Sequence, residues 1–507
     1  MTPPRGAVLA VLCLCTFAVN IDTTIVNVTL PTLVRDLEAT TRELQWTVDA
    51  FNLTFAAFVL AAGSLGDRWG RRGMLVAGLG VYCVGNVLAS FAATPGELIG
   101  ARFATGLGAA MVFPTTLSLI ANVYTDRGAR AGAIGIWGAT TGLAVALGPI
   151  AGGALLELSS WPATFLAKAP VALVAIALVL ALVPTSRDRT RPRLDLGGLG
   201  LSTAAVGLLV FTIIEAPEAG WGSASTVAGL AAGALLLAAF VAWERRSSHP
   251  MLDVRLFRNL RFSAASASIT VAFFALFGFI FLVTQYFQFL RGYDPLETGV
   301  RLIPVAVSIA VGSVVGTKLS VLRGNKLVVS TGLLLLTVAY AWTSTAGVGT
   351  PYLEIAAQMV FLGLGMGLTT APATESIMGA VSVDKAGIGS AINDTTRELG
   401  GTLGVAVIGS VYASLYASAM AGTDAPAAAR DSVGGALIAA DALVAQGSPG
   451  AASALIERAS AGFFDGLQVG CLVAAGVCAA GAVFCALVLP SRPPEEDRVL
   501  VAEPAYS

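Results

Sequence analysis

Long apolar runs alternate along the chain with short polar breaks rich in arginine, glycine and proline, and the runs set the plan. A helix needs about 20 mostly apolar residues to cross a bilayer. Fourteen stretches meet that requirement: residues 7–29, 46–66, 73–93, 97–120, 131–154, 164–184, 197–215, 225–243, 263–286, 298–318, 327–346, 352–374, 398–418 and 465–489. The opening run reads as an uncleaved first helix, because no small-residue cleavage site follows it before Asp22. The runs parse as six, two and six. Residues 1–184 are expected to form an N-terminal six-helix bundle, 185–262 an inserted helix pair with cytoplasmic connectors, and 263–490 a C-terminal six-helix bundle. The last bundle carries a long, weakly ordered exterior loop over 420–464, and 491–507 reads as a disordered tail. The predicted fold class is an all-α membrane protein with 14 transmembrane helices.

Composition agrees with this plan. The 507-residue chain is 56% hydrophobic and 12% charged, against about 25% charged residues in soluble domains. A net charge of −1 gives no case for nucleic-acid binding. With the N-terminus inside, most of the 30 lysines and arginines fall in cytoplasmic breaks, which places both termini in the cytoplasm of a cell-membrane protein. Cys471, Cys478 and Cys485 share one face of the last helix and read as apolar packing, not as a metal stripe. No nucleoside-triphosphate loop is present, and no nucleophile, base or metal set converges. The chain therefore does not read as an enzyme, no cofactor or metal is expected, and any pumping draws on an ion gradient or a separate subunit.

The informative positions are charges close to or inside the apolar runs. Gly63-Ser-Leu-Gly-Asp-Arg-Trp-Gly-Arg-Arg-Gly-Met-Leu75 is a tight turn between two spans, with Asp67, Arg68, Arg71 and Arg72 punctuated by Gly63, Gly66, Gly70 and Gly73. Asp67 is placed to answer an arginine or a helix N-terminus; a loop that only fixes topology is the simpler reading. A worn counterpart, Gly316 to Lys326, lacks the aspartate, so no equivalent latch is expected in the second half. A charge at mid-span costs about 2.5–3.5 kcal/mol, so it ordinarily faces a cavity or another charge. Asp22 lies deep in the first run, and burial suits a carboxylate to proton exchange or to a structural role. Asp49 lies near the outer end of the second run, where it is either functional or simply solvated, and Arg102 in the fourth is the obvious counter-ion, for proton coupling or for a purely structural ion pair. Lys168 either snorkels to the outer interface or pairs with an acid such as Glu157. Gly148-Pro149-Ile-Ala-Gly152-Gly153 combines a proline kink with a close-packing glycine face. On the ninth run Phe273, Phe277 and Phe281 share a face continued by Gln285 and Gln288, which suits flat, lipophilic or cationic molecules or contact with lipid. Asn27, Trp46 and Asn393 complete the candidate substrate path.

Several of these motifs carry a resemblance. The Gly63–Arg72 turn, the Arg102 segment and Gly148–Gly153 resemble the corresponding motifs of the major facilitator superfamily. Ile21-Asp-Thr-Thr-Ile-Val-Asn-Val-Thr-Leu-Pro31 is similar to the first-helix motif of its fourteen-helix drug/proton antiporter branch. Lys168 departs from that pattern, where asparagine is usual. The resemblance implies two bundles working by alternating access, the turn acting as a gating latch through Asp67 and Arg68, and Gly148–Gly153 as the mark of an exporter. It further implies that Asp22 takes a proton from outside, with Asp49 and Arg102 in the coupling set. The expected function is proton-coupled export of drugs or antibiotics. Export of an endogenous metabolite or lipid is the alternative within transport, and a non-transporting receptor or scaffold the alternative outside it. The expected partners are a small-molecule substrate, protons and membrane lipid, and the chain is expected to act as a monomer.

Overall fold

The computed structural model describes residues 4–490 except 38, 40, 187–194, 249, 251, 253, 383–385, 424, 427–428 and 431. Among the described residues the regular elements are all helices, without strands, and fourteen helical spans are long and apolar enough to cross a membrane. In the first half these are α1 (Arg5–Asp36), α2 (Thr41–Trp69), α3 (Arg71–Ser90), α4 (Pro95–Val123), α5 (Arg127–Leu158) and a sixth span made of α6 (Trp161–Leu166) and α7 (Lys168–Leu182). The next pair is α8 (Leu196–Ala219) and α9 (Ala224–Arg246). In the second half α10 (Leu260–Gln285) is followed by α11 (Pro295–Arg301) and α12 (Ile303–Arg323), which share one span. Then come α13 (Asn325–Thr343), α14 (Tyr352–Gly379), α15 (Ala386–Met420), α16 (Val433–Ala445) and α17 (Pro449–Val488).

Local chemistry explains where these helices start. Side chains of Thr94, Asp126, Asp195, Ser223 and Asp294 accept first-turn amide hydrogens of α4, α5, α8, α9 and α11. The turns into α3 and α13 place Gly70 at φ +115° and Gly324 at φ +88°, backbone that a side chain would strain. The same glycine turn thus sits at matching places in the two halves. The sixth span starts at Trp161 instead of the expected 164, because Pro162 falls in a first turn, where its missing N–H costs nothing. It breaks at Ala167, since Pro170 cannot donate to the Leu166 carbonyl.

The halves meet along α2 and α15 and along α5, α12 and α14, while α8 rests on α2 and α15. Within the stretch 420–464, expected as a weakly ordered loop, residues 433–445 and 449–464 are helical. Alanine-rich sequence carries α17 to 40 residues, roughly 60 Å at 1.5 Å per residue, about twice a hydrocarbon core. Arg458 fixes the projecting part by donating from Nε to Ala419 O (2.8 Å) and from Nη2 to Ala421 O (3.0 Å), at the C-terminal end of α15. The three helix-facing cysteines of α17 are buried and unbridged. The tail 491–507 lies outside the described residues.

Candidate functional site

The first constellation forms where α1, α4 and α7 converge. Arg102 donates from Nη1 to Asp22 Oδ2, and Lys168 donates from Nζ to Asp22 Oδ1, so both carboxylate oxygens are engaged. All three side chains are buried, at 0%, 1% and 4% exposure in that order for Asp22, Arg102 and Lys168. Arg102 is further held by Nε donating to Thr47 O (2.9 Å), and its guanidinium lies 4.7 Å from the centre of the Phe51 ring. The Lys168 ammonium lies 4.5 Å over Phe165. Lys168 thus neither snorkels nor pairs with Glu157, which is exposed. The break at Ala167 puts it at the start of α7, facing α1. Its partner is 146 positions earlier in sequence, and no local spacing signals that pairing.

A cavity lies beside this cluster between the halves. Asn20, Thr23 and Phe51 line it next to the cluster, Trp137 and Thr141 come from α5, and Phe273, Phe277, Thr370, Asp394, Arg397 and Glu398 come from the second half. The Trp137 indole is held by donation to Thr16 Oγ1 (2.9 Å) and Thr116 Oγ1 (3.3 Å). The Arg397 guanidinium lies 4.6, 5.3 and 5.4 Å from the ring centres of Phe273, Trp137 and Phe113, and Nη1 is 3.5 Å from Asp394 Oδ1. Asn393 is buried behind Asp394, donating to its Oδ1 (3.2 Å) and accepting from Thr374 (2.8 Å), so it braces the wall without lining the cavity. Arg397, Asp394 and, from the first half, Asp49 lie within electrostatic range of Glu398. Glu398 is absent from the sequence expectation, although a third charge within five residues of one span is itself a signal.

The aromatic face of α10 is only partly as expected. Phe273 and Phe277 line the cavity, but Phe281 packs its ring 6.2 Å from Tyr412, and Gln285 donates back to Phe281 O (3.5 Å). A spacing of four residues drifts by about 40° per turn of a 3.6-residue helix, so the row rotates away. Leu276, Ile280, Thr284 and Gln288 take its place and line a second cavity against Thr24, Pro149 and Val305. Trp46 does not line the central cavity; its ring lies 5.9 Å from Phe211 of α8 and 6.4 Å from Phe103. The Asn27 side chain lies outside the described residues.

Beside the second cavity, α5 is wedged between α1 and the other half. A Cβ on Gly148 would lie 1.8 Å from Thr24 Oγ1, and Gly152 faces Ile25. Pro149 meets Gly299, and Gly153 meets Leu296, both across the interface. At the opposite end Asp67 does two jobs. Its Oδ1 accepts from Arg71 Nε (2.9 Å) and Gly387 N (3.0 Å), and its Oδ2 from Ile388 N (3.2 Å). It therefore ties α2 to the positive N-terminus of α15 in the other half, and Gly63 lies against Gly387 there. Arg71, fully buried, is the partner, with Arg68 half-buried in the same turn and Arg72 donating to Val183 O (3.5 Å). The worn repeat of the second half contributes Asn325 to a second cluster. Glu375 Oε2 accepts from Arg261 (3.1 Å) and Asn325 (3.2 Å), and Oε1 lies 4.0 Å from Arg130 of the first half. The acid comes from α14 instead of the turn, so the turn's sequence alone does not reveal it.

The sequence profile described as Major Facilitator Superfamily matches residues 12–405. The multidrug efflux pump LfrA of Mycolicibacterium smegmatis is 35% identical over 491 residues, 95% of this chain and 96% of that protein. The multidrug resistance protein Stp of Mycobacterium tuberculosis is 35% identical over 401 residues, 78% of this chain and 74% of its own length. The human organic anion transporter MFSD10 (TETRAN) shares the fold at a TM-score of 0.65 with 14% identity, over 96% of this chain and 100% of the solved one.

Proposed function

Because the chain belongs to the Major Facilitator Superfamily, we propose that it is a proton-coupled secondary transporter that exports drugs or antibiotics, lipophilic or cationic, across the cytoplasmic membrane by alternating access. The observation that carries this reading is a near end-to-end match, at 35% identity, to a multidrug efflux pump. The geometry suits the chemistry. A cavity walled by Phe51, Trp137, Phe273 and Phe277 receives apolar and aromatic surface, while Asp394 and Glu398 supply negative charge for cations. The buried cluster of Asp22, Arg102 and Lys168 is the proton-coupling centre, one aromatic ring away from that cavity through Phe51. Asp67 with Arg71 latches the cytoplasmic end, and Gly148–Gly153 packs the exterior end. Both termini lie in the cytoplasm, and the chain acts as a monomer of two six-helix bundles with an inserted pair.

One proton descending about 100 mV and about one pH unit releases about 2.3 and about 1.4 kcal/mol, enough for a roughly 500-fold gradient of a neutral substrate. The test is accumulation of a lipophilic cation by proteoliposomes under an imposed pH gradient. Wild type accumulates the probe, and Asp22→Asn, which leaves two buried cations without their carboxylate, loses at least tenfold. A variant with undiminished gradient-driven accumulation removes Asp22 from the coupling centre.

A further inference from the structure

Charge counting in the buried cluster separates the carboxylate from the group that exchanges the proton. With every group ionised, Asp22, Arg102 and Lys168 sum to one net positive charge, enclosed at no more than 4% exposure. Adding a proton to Asp22 would raise this to two positive charges with no counter-ion. Protonation would forfeit the attraction of the carboxylate to both cations, about 4 kcal/mol for a unit-charge pair about 4 Å apart at an effective dielectric of about 20. Removing a proton from Lys168 instead leaves the cluster neutral. Arg102 is not an alternative donor, because a guanidinium does not deprotonate in proteins. A neutral amine keeps two N–H bonds, so it still donates to Asp22 Oδ1, while Arg102 keeps Oδ2. Neither state leaves a carboxylate oxygen orphaned. Among the described residues, the other titratable groups facing the cluster come from α3: the Tyr82 hydroxyl, which donates to Ala18 O, and Cys83, whose Sγ donates to Ala169 O. A phenol and a thiol are ordinarily neutral near pH 7 and leave the count unchanged.

We propose that Lys168 is the proton-exchanging group of this transporter, with Asp22 remaining ionised between Arg102 and Lys168 throughout the cycle. The assignment rests on the exporter reading and moves the proton from the carboxylate to the amine beside it. The step is an exchange between the Nζ ammonium and water: the N–H bond breaks heterolytically, the electron pair stays on nitrogen, and the proton leaves as hydronium. A charged Lys168 gives the cluster a positive charge behind the Phe51 wall, which disfavours a cation in the cavity. A neutral Lys168 removes that charge. Cation binding therefore drives proton release from Lys168, which is the sign that antiport needs.

The test uses purified full-length protein with tetraphenylphosphonium as the probe. Lys168→Arg keeps a charge able to pair with Asp22 but unable to deprotonate, and Lys168→Met is permanently neutral. A purely structural lysine predicts that the arginine variant behaves as wild type. Proton exchange at Lys168 predicts that both variants lose gradient-driven accumulation at least tenfold. It also predicts that probe binding, which releases protons from wild type in weakly buffered solution, releases none from either variant. Probe binding at least as tight as wild type in Lys168→Met, and weaker in the permanently charged Lys168→Arg, shows that the site is intact and that the charge at Lys168 is what opposes the cation. Wild-type proton release in either variant overturns the assignment alone. A wild type that neither accumulates the probe nor releases protons overturns the exporter reading as well.

Discussion

Glu398 shows how much one side chain in a cavity wall can decide. Among the described residues its carboxylate has no hydrogen bond or ion pair, whereas Asp394, one helical turn earlier, is engaged by Arg397 and Asn393. An unengaged carboxylate in the same cavity wall as Phe277 is a natural contact for a positive charge on an aromatic substrate. Glu398→Gln removes the charge and keeps the volume. The expected outcome is about tenfold weaker binding of a monovalent lipophilic cation, or about 1.4 kcal/mol, with binding of a neutral substrate of similar size changed less than about twofold. Equilibrium binding to the purified protein measures both, and equal losses for the two substrates would assign Glu398 a packing role. At this scale the sequence reveals the acid and base in α1 and α4, because a charge stranded in an apolar run stands out. It does not reveal Lys168 as their third member, because an apolar helix permits snorkelling as readily as burial and the contact is made only in the tertiary fold.

Among the described residues, α5 carries the glycine with the tightest neighbour, Gly148, and its glycines are not equivalent. At Gly148 an added Cβ would meet Thr24 Oγ1 at 1.8 Å, Thr24 Cβ at 2.9 Å and the Ile21 carbonyl at 3.0 Å. Rotating the threonine hydroxyl relieves only the first of these. At Gly152 the contacts to Ile25 and Val28 are 3.4–3.5 Å, ordinary van der Waals distances. Gly148→Ala is therefore expected to cost about 1–3 kcal/mol of packing strain, to lower the melting temperature and to slow transport several-fold. Gly152→Ala stays near wild type in both, and paired melting and transport assays of the two variants check the contrast. Gly148–Gly153 is visible in sequence as a motif, but its two-sided packing depends on Gly299 and Leu296 from the other half. The helices themselves are legible because span length and hydropathy are local properties. The departures occur where local rules compete, as at Pro162 and Pro170, or where a four-residue spacing drifts around α10 and turns Phe281 and Gln285 away from the cavity.

Across the molecule, one end of the interface between the halves carries two ionic clusters of unequal strength. Asp67 engages Arg71 and two amides at the start of α15 at 2.9–3.2 Å, so it binds the first half directly to the second. Glu375 is engaged within its own half by Arg261 and Asn325 at 3.1 and 3.2 Å, and Arg130 of the first half lies 4.0 Å from its other oxygen. If both clusters act on one rigid-body opening, their losses add in free energy and multiply in population. Asp67→Asn keeps a hydrogen-bond acceptor but leaves the buried Arg71 without its countercharge. It is expected to weaken closure by about 1.4 kcal/mol or more, raising hydrogen exchange over residues 386–392 about tenfold. Glu375→Gln, acting through the longer contact, is expected to raise it about two- to threefold. The double variant should then show the product of the two, read by hydrogen-exchange mass spectrometry of the same peptide. A double variant no faster than Asp67→Asn alone would mean that the Glu375 cluster stabilises its own half and has no share in holding that end shut.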